Sequence, residues 1–308
     1  MNIRSNELSG TLETPKTATA APPATRPLYW SVRRELWENR SIYVAPSAVA
    51  VLFLFGFLIS LIHLPARMRA AMALEPLRQH ASIVQPYNFA VLAIMATTFL
   101  VGVLYCLDAL SGERRDRSIL FWKSLPVSDR TTVLAKASIV LVVIPLLTFV
   151  IVVAVQLVML VLSSMVLLGS GLSAATLWTQ VSPFQTSLML LYHLFMVHVL
   201  WYAPICGWLL LVSAWARRAA FLWASLPLLA IGMVEKLAFN TTHFAALLAY
   251  RVSGGAEAAL STARGFPLDP MTTHLTPAAF LSNPGLWVGL AIAAAFLAAA
   301  VRLRRNRG

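Results

Sequence analysis

Charge is what this sequence has least of. Only 12% of its 308 residues are Asp, Glu, Lys or Arg while 59% are hydrophobic, against about 25% charged in a typical soluble domain. That excludes an ordinary globular protein. Six apolar runs, Ile42–Leu64, Tyr87–Leu107, Ala137–Ser163, Phe184–Ala216, Ala219–Val234 and Gly285–Val301, contain none of the four charged residue types. Ion-driven carriers place ionisable or ion-coordinating groups inside the bilayer, so ion coupling within this chain is disfavoured. The chain has no Gly-Lys pair and hence no phosphate loop of the Gly-x-x-x-x-Gly-Lys-Ser/Thr kind; powered transport would draw its power from a partner. Cysteine is nearly absent. Cys106 and Cys206 both fall inside apolar runs and read as small buried hydrophobes rather than a disulfide framework. No Ser-His-Asp set, Cys-His set, carboxylate pair or metal cluster can be assembled from what remains, so neither a catalytic site nor a resident cofactor or metal is expected.

What is present is oil at membrane length. A bilayer core of about 30 Å needs about 20 apolar residues, which predicts six transmembrane helices and an all-α, polytopic membrane protein. With the N-terminus in the cytoplasm, the inner segments hold Arg4, Lys16, Arg26, Arg33, Arg34 and Arg40, then Arg114, Arg115, Arg117, Lys123, Arg130 and Lys136, then Arg217 and Arg218, then Arg302, Arg304, Arg305 and Arg307. Only Arg67, Arg69, Arg78, Lys236, Arg251 and Arg264 fall outside. The positive-inside rule therefore puts both termini in the cytoplasm. The net charge of +12 is distributed as membrane-flanking charge, and a nucleic-acid surface is not expected.

Residues 1–27 are rich in Thr, Ala and Pro, a composition that cannot bury enough surface to fold, and read as a disordered cytoplasmic tail. Residues 28–41 mix Tyr29, Val32 and Leu36 with Arg33, Arg34 and Glu35, which predicts an amphipathic helix lying along the headgroups, anchored by Trp30 and Trp37. The six-span domain follows over 42–308. Residues 235–284 form its longest outer segment, in which Leu237–Tyr250 is apolar enough to form a re-entrant or interfacial helix. Pro145, Pro204 and Pro227 lie inside spans and predict bends.

The stretch around which the chain is organised is 110–128, a charged island between the second and third spans. Glu113, Arg114, Arg115, Asp116 and Arg117 stand in a row, a run that must sit in water or at the headgroups. Behind it Ile119, Trp122 and Leu125 recur at a spacing of three with Leu120 and Phe121 beside them, so a short helix there carries one oily side. Pro126 ends it, and Ser128-Asp129 supplies a cap and a favourable charge for the next helix.

At Glu113, Arg114, Ile119, Leu120, Leu125, Pro126, Val127, Ser128, Ala135 and Lys136 the chain resembles the permease subunits of ABC-2 type transporters, with Arg117-Ser118 where that family commonly has Gly-Thr. The resemblance implies an ABC-2-like exporter fold in a bacterial cytoplasmic (inner) membrane. It implies assembly as a dimer with a second permease copy or paralogue, and a separate ABC ATPase that binds ATP and Mg. Glu113, Arg114, Arg115, Asp116, Arg117, Ile119, Phe121, Trp122 and Leu125 would seat in a groove of that ATPase. Within the spans, Gln156, His193, His198, Trp201 and Tyr202 are the candidate lining of a substrate path. His193 and His198 are five apart, about 140° on an α-helix, so they are expected on different faces and not as joint ligands. An ion-coupled secondary transporter or a haem- or quinone-binding membrane subunit is the alternative reading.

Overall fold

A computed structural model describes residues 27–115, 128–262, 268–271 and 273–306. It is mostly helical, and six of its helices are long and apolar enough to cross a membrane: Ser41–Met72, Pro76–Asp108, Asp129–Gly169, Ala175–Trp201, Ala220–Phe239 and Pro284–Asn306. A shorter apolar helix, Ala203–Trp215, continues the fourth. The six-helix membrane character read from the runs is thus present. Two short antiparallel strands, Leu260–Thr262 and Thr273–Leu275, add a small sheet that the all-α reading missed.

Helix ends differ from run ends because hydropathy marks where oil stops, not where hydrogen bonding stops. The first span passes through a 3-10 turn at Leu61–His63 into Leu64–Met72, and the second begins at Pro76. Much of 65–86, the stretch between the first two apolar runs, is therefore helix. The fifth span, short as an apolar run, reaches Phe239 by taking Glu235 and Lys236 into its last turns. Glu235 then caps the next helix, His243–Ala259, accepting from His243 N at 2.7 Å and Phe244 N at 2.8 Å. That helix covers most of the apolar stretch 237–250.

Two spans carry π-helical segments, Ile139–Val143 and Leu194–Trp201. Each stands just before a proline, Pro145 and Pro204. A proline inside a helix lacks the N–H and its ring collides with the carbonyl four residues earlier; shifting to i→i+5 bonding absorbs the misfit. The bends expected at those prolines are hence local changes of helix type, as in the 3.0 Å bond from Tyr202 N to Val197 O.

Packing follows the apolar surfaces. Trp201, Ile94, Met159, Leu160 and Leu167 are among the fully buried side chains of the larger core, while a second core gathers Ile42, Cys106, Ile139 and Leu210. The fourth and sixth spans pack most extensively of all, and Gly207 allows it: a Cβ there would lie 3.3 Å from the Ala293 carbonyl. Small residues at a crossing let helix backbones approach. The fifth span buries little of itself, with Phe221, Leu229 and Leu237 exposed, as suits a helix whose solvent is lipid.

Candidate functional site: a buried ion network at one end of the bundle

The N-terminal helix Pro27–Glu38, the start of the third span and the end of the sixth meet at one end of the bundle. Between them the structure closes an ion network. Glu35, 1% exposed, accepts from Lys136 Nζ at 2.8 Å, from Arg34 Nη2 at 3.0 Å and from Tyr105 OH at 2.9 Å. Lys136, 2% exposed, also reaches Glu113 Oε1 at 3.1 Å. Arg304 bonds Glu113 through Nη1 and Asp129 through Nε, the latter at 2.9 Å. Arg34 completes the ring, 3.5 Å from Glu113 Oε1 and 3.4 Å from Glu38.

The buried core of this network, Lys136 and Arg304 against Glu35 and Glu113, balances charge for charge. Balance matters because a single uncompensated charge in such a place costs several kcal/mol. Burial would push the Glu113 carboxyl up, but the charges and hydrogen bonds of Lys136 and Arg304 hold it below the usual carboxylate range. Glu38, at the rim, is shifted up, chiefly by burial.

The chemistry available here is mechanical. Glu113 precedes and Asp129 follows residues 116–127, so Arg304 ties both ends of that segment to the last turn of the sixth span. Ser213 of the fourth span adds a second tie: its Oγ accepts from Leu110 N and Ser111 N, each at 3.0 Å. Ser128 caps the third span by accepting from Thr131 N at 3.1 Å, with Asp129 in the first turn, as the sequence predicts.

Of the proposed coupling residues, Glu113 is placed, in the helix Ser111–Arg115, and it faces inward to the network rather than outward. The side chains of Arg114 and Arg115, and the whole of Asp116, Arg117, Ile119, Phe121, Trp122 and Leu125, lie outside the described residues, as does the tail 1–26. Sequence reasoning missed the roles of Glu35, which it placed on the interfacial helix, and of Lys136 and Arg304, which it counted as flanking charge. The one available signal was that Glu35 and Glu113 are acidic residues inside strongly basic flanks.

The five candidate path residues do not line one cavity. His193 and His198 come together, their rings edge to face at 5.3 Å, and Tyr202 likewise meets His198 edge to face at 5.5 Å. The expectation of separate faces fails because the segment between them is π-helical, and i→i+5 bonding stacks a residue over the fifth before it. His198 and Tyr202 line a narrow cavity of about 40 Å³ between the second, third and fourth spans. Trp201 instead is a buried pillar, donating to the Arg251 carbonyl at 2.9 Å and packed on Tyr250 and Phe280. Gln156 sits apart, by a small void with Tyr87, Gln180 and Asp269.

At the opposite end of the bundle His80 is buried between Asp269, whose two oxygens lie 2.9 Å from Nε2, and Gln180, 2.6 Å from Nδ1. It fastens the segment between the two strands to the second span. Among the described residues, no group of three His, Cys, Asp or Glu side chains is arranged to hold a metal ion.

Comparison of the chain with protein-family models, curated proteins and solved structures finds no match.

Proposed function

We propose that this chain is the membrane-spanning subunit of an ABC-2-like exporter. In this reading it works as a dimer with a second permease and passes the stroke of a separate ATPase, which holds ATP and Mg, to its own spans. The observation that carries the reading is the network bracketing residues 116–127. A segment gripped by an external motor transmits force only if both its ends are rigidly held, and Glu113 and Asp129 are held to the first helix, the third span and the sixth. Basic residues concentrate at the same end, which supports placing it in the cytoplasm of a bacterial inner membrane. Phe121 and Trp122 would be the apolar anchors of the contact, and Arg114, Arg115, Asp116 and Arg117 its charged register.

The test is co-purification with a soluble ATPase. Replacing Arg115, Phe121 and Trp122 together by Ala should abolish the complex while leaving the permease monodisperse; an intact complex would remove the reading. The His193–His198 pair is the one structural argument for an ion-coupled carrier. Uptake or release in proteoliposomes driven by an ion gradient, with no ATPase present, would establish that alternative instead.

A further inference from the structure

The chain has two cysteines, one hundred residues apart in sequence, and the fold brings them to the wall of one cavity. Cys106, in the last turns of the second span, is wholly buried and faces the same narrow cavity as Cys206 of the fourth span. Both thiols line the 40 Å³ cavity, together with His198, Tyr202, Thr98 and Thr148. A cavity needs about 10–15 Å³ to admit one water, so an ion and a water fit. His198 adds a second sign of a missing occupant: its Nδ1 is buried with no hydrogen-bond partner.

We propose that Cys106 and Cys206 form a binding site for a soft monovalent metal ion, Cu(I) or its analogue Ag(I). The choice of ion follows from the donor set. No third His, Cys, Asp or Glu is arranged with them as a ready ligand among the described residues, which disfavours Zn(II), whose structural sites need four ligands. Soft sulfur donors select Cu(I) over the harder divalent ions. Charge balance agrees. The thiols and the imidazole enter uncharged, and the ion brings one positive charge. One thiol gives its proton to bulk solution as its sulfur–metal bond forms, so the occupied site is again neutral in walls that hold no Asp, Glu, Lys or Arg. The second sulfur completes the coordination, and the remaining proton is shared between it and His198. An ion held this way bridges the second and fourth spans. The inference does not depend on the transport reading and stands if that reading fails.

The experiment uses the full chain, purified anaerobically in detergent, with Ag(I) or Cu(I) as the only added metal. Because no other cysteine exists in the chain, any thiolate–metal signal belongs to this pair. The expected result is one tightly retained ion per chain, one proton released per ion, no retained Zn(II), and joint protection of both thiols from alkylation. Cys206→Ser, at the less buried position, should abolish retention while thermal unfolding shows the fold intact. His198→Ala should weaken retention roughly 10-fold or more. Wild-type protein that retains no more ion than Cys106→Ser/Cys206→Ser, or Zn(II) retained as well as Ag(I), overturns the proposal without reliance on a variant folding normally in every case.

Discussion

Lys136→Met removes the ammonium that bridges Glu35 and Glu113, at 2.8 Å and 3.1 Å, and keeps most of the side chain's bulk. At an effective dielectric of about 20, each contact represents roughly 5 kcal/mol of gross attraction. Most of that is offset by the desolvation of the ions themselves, and breaking a buried pair typically costs about 3–5 kcal/mol because the survivors stay buried and unmatched. Here the survivors are two carboxylates facing one gap. At roughly 2–4 °C per kcal/mol, the melting temperature of the detergent-solubilised protein should fall on the order of 10 °C. Adding Glu35→Gln removes the excess negative charge, so the double variant should be more stable than the sum of the single effects allows. Thermal unfolding followed by tryptophan fluorescence reads both. A Lys136→Met variant melting within about 1 °C of wild type, or strictly additive single effects, would refute the claim that this network is a coupled knot of buried charge.

Acid supplies an independent check: the Glu113 carboxyl is depressed in the folded protein, so its contribution is present above its ordinary value of 4.5 and is lost as pH falls through the depressed one. Wild type should therefore weaken on acidification, and the gap to Lys136→Met should narrow; a gap that widens contradicts the sign. Ser213→Ala deprives Leu110 N and Ser111 N of their shared acceptor and should cost about 1–3 kcal/mol, visible as faster amide exchange at 110–115. Gly207→Leu forces side-chain atoms against the Ala293 backbone and Phe296 and should destabilise by about 1–3 kcal/mol, with tryptophan emission reporting a loosened contact at Trp208. His80→Ala frees Asp269 and Gln180 and should raise proteolysis at 268–275 while leaving the ion-network end unchanged.

The six spans were legible because nothing but a membrane tolerates runs so long and so free of charge. The helical extensions beyond them were not, since Leu64–Met72 and the first turns of the second span carry polar residues that read as loop. The prolines were seen, but a bend and a change to i→i+5 bonding leave the same mark in sequence; only the latter brings His193 to His198. The ion network was illegible for a plainer reason. Its bonds join residues 101 and 191 positions apart, and a flanking-charge count treats Lys136 and Arg304 as interchangeable with Arg130 and Arg305. The cap at Ser128 was legible because it is local. The shared cavity of Cys106 and Cys206 lies between different spans, and no spacing rule could have supplied it.

A π-turn is a surplus residue stored inside a helix. In the fourth span that surplus lies between Pro183, at the far end, and Gly207 and Ser213, which meet the sixth span and the 110–115 helix. An α-helix advances about 100° per residue, so letting the surplus out at either end would swing the lower half of the rod by about a quarter turn relative to the upper half. The fourth span is thereby two α-helical rods joined through a π-helical segment, with His193, His198 and Tyr202 at the joint.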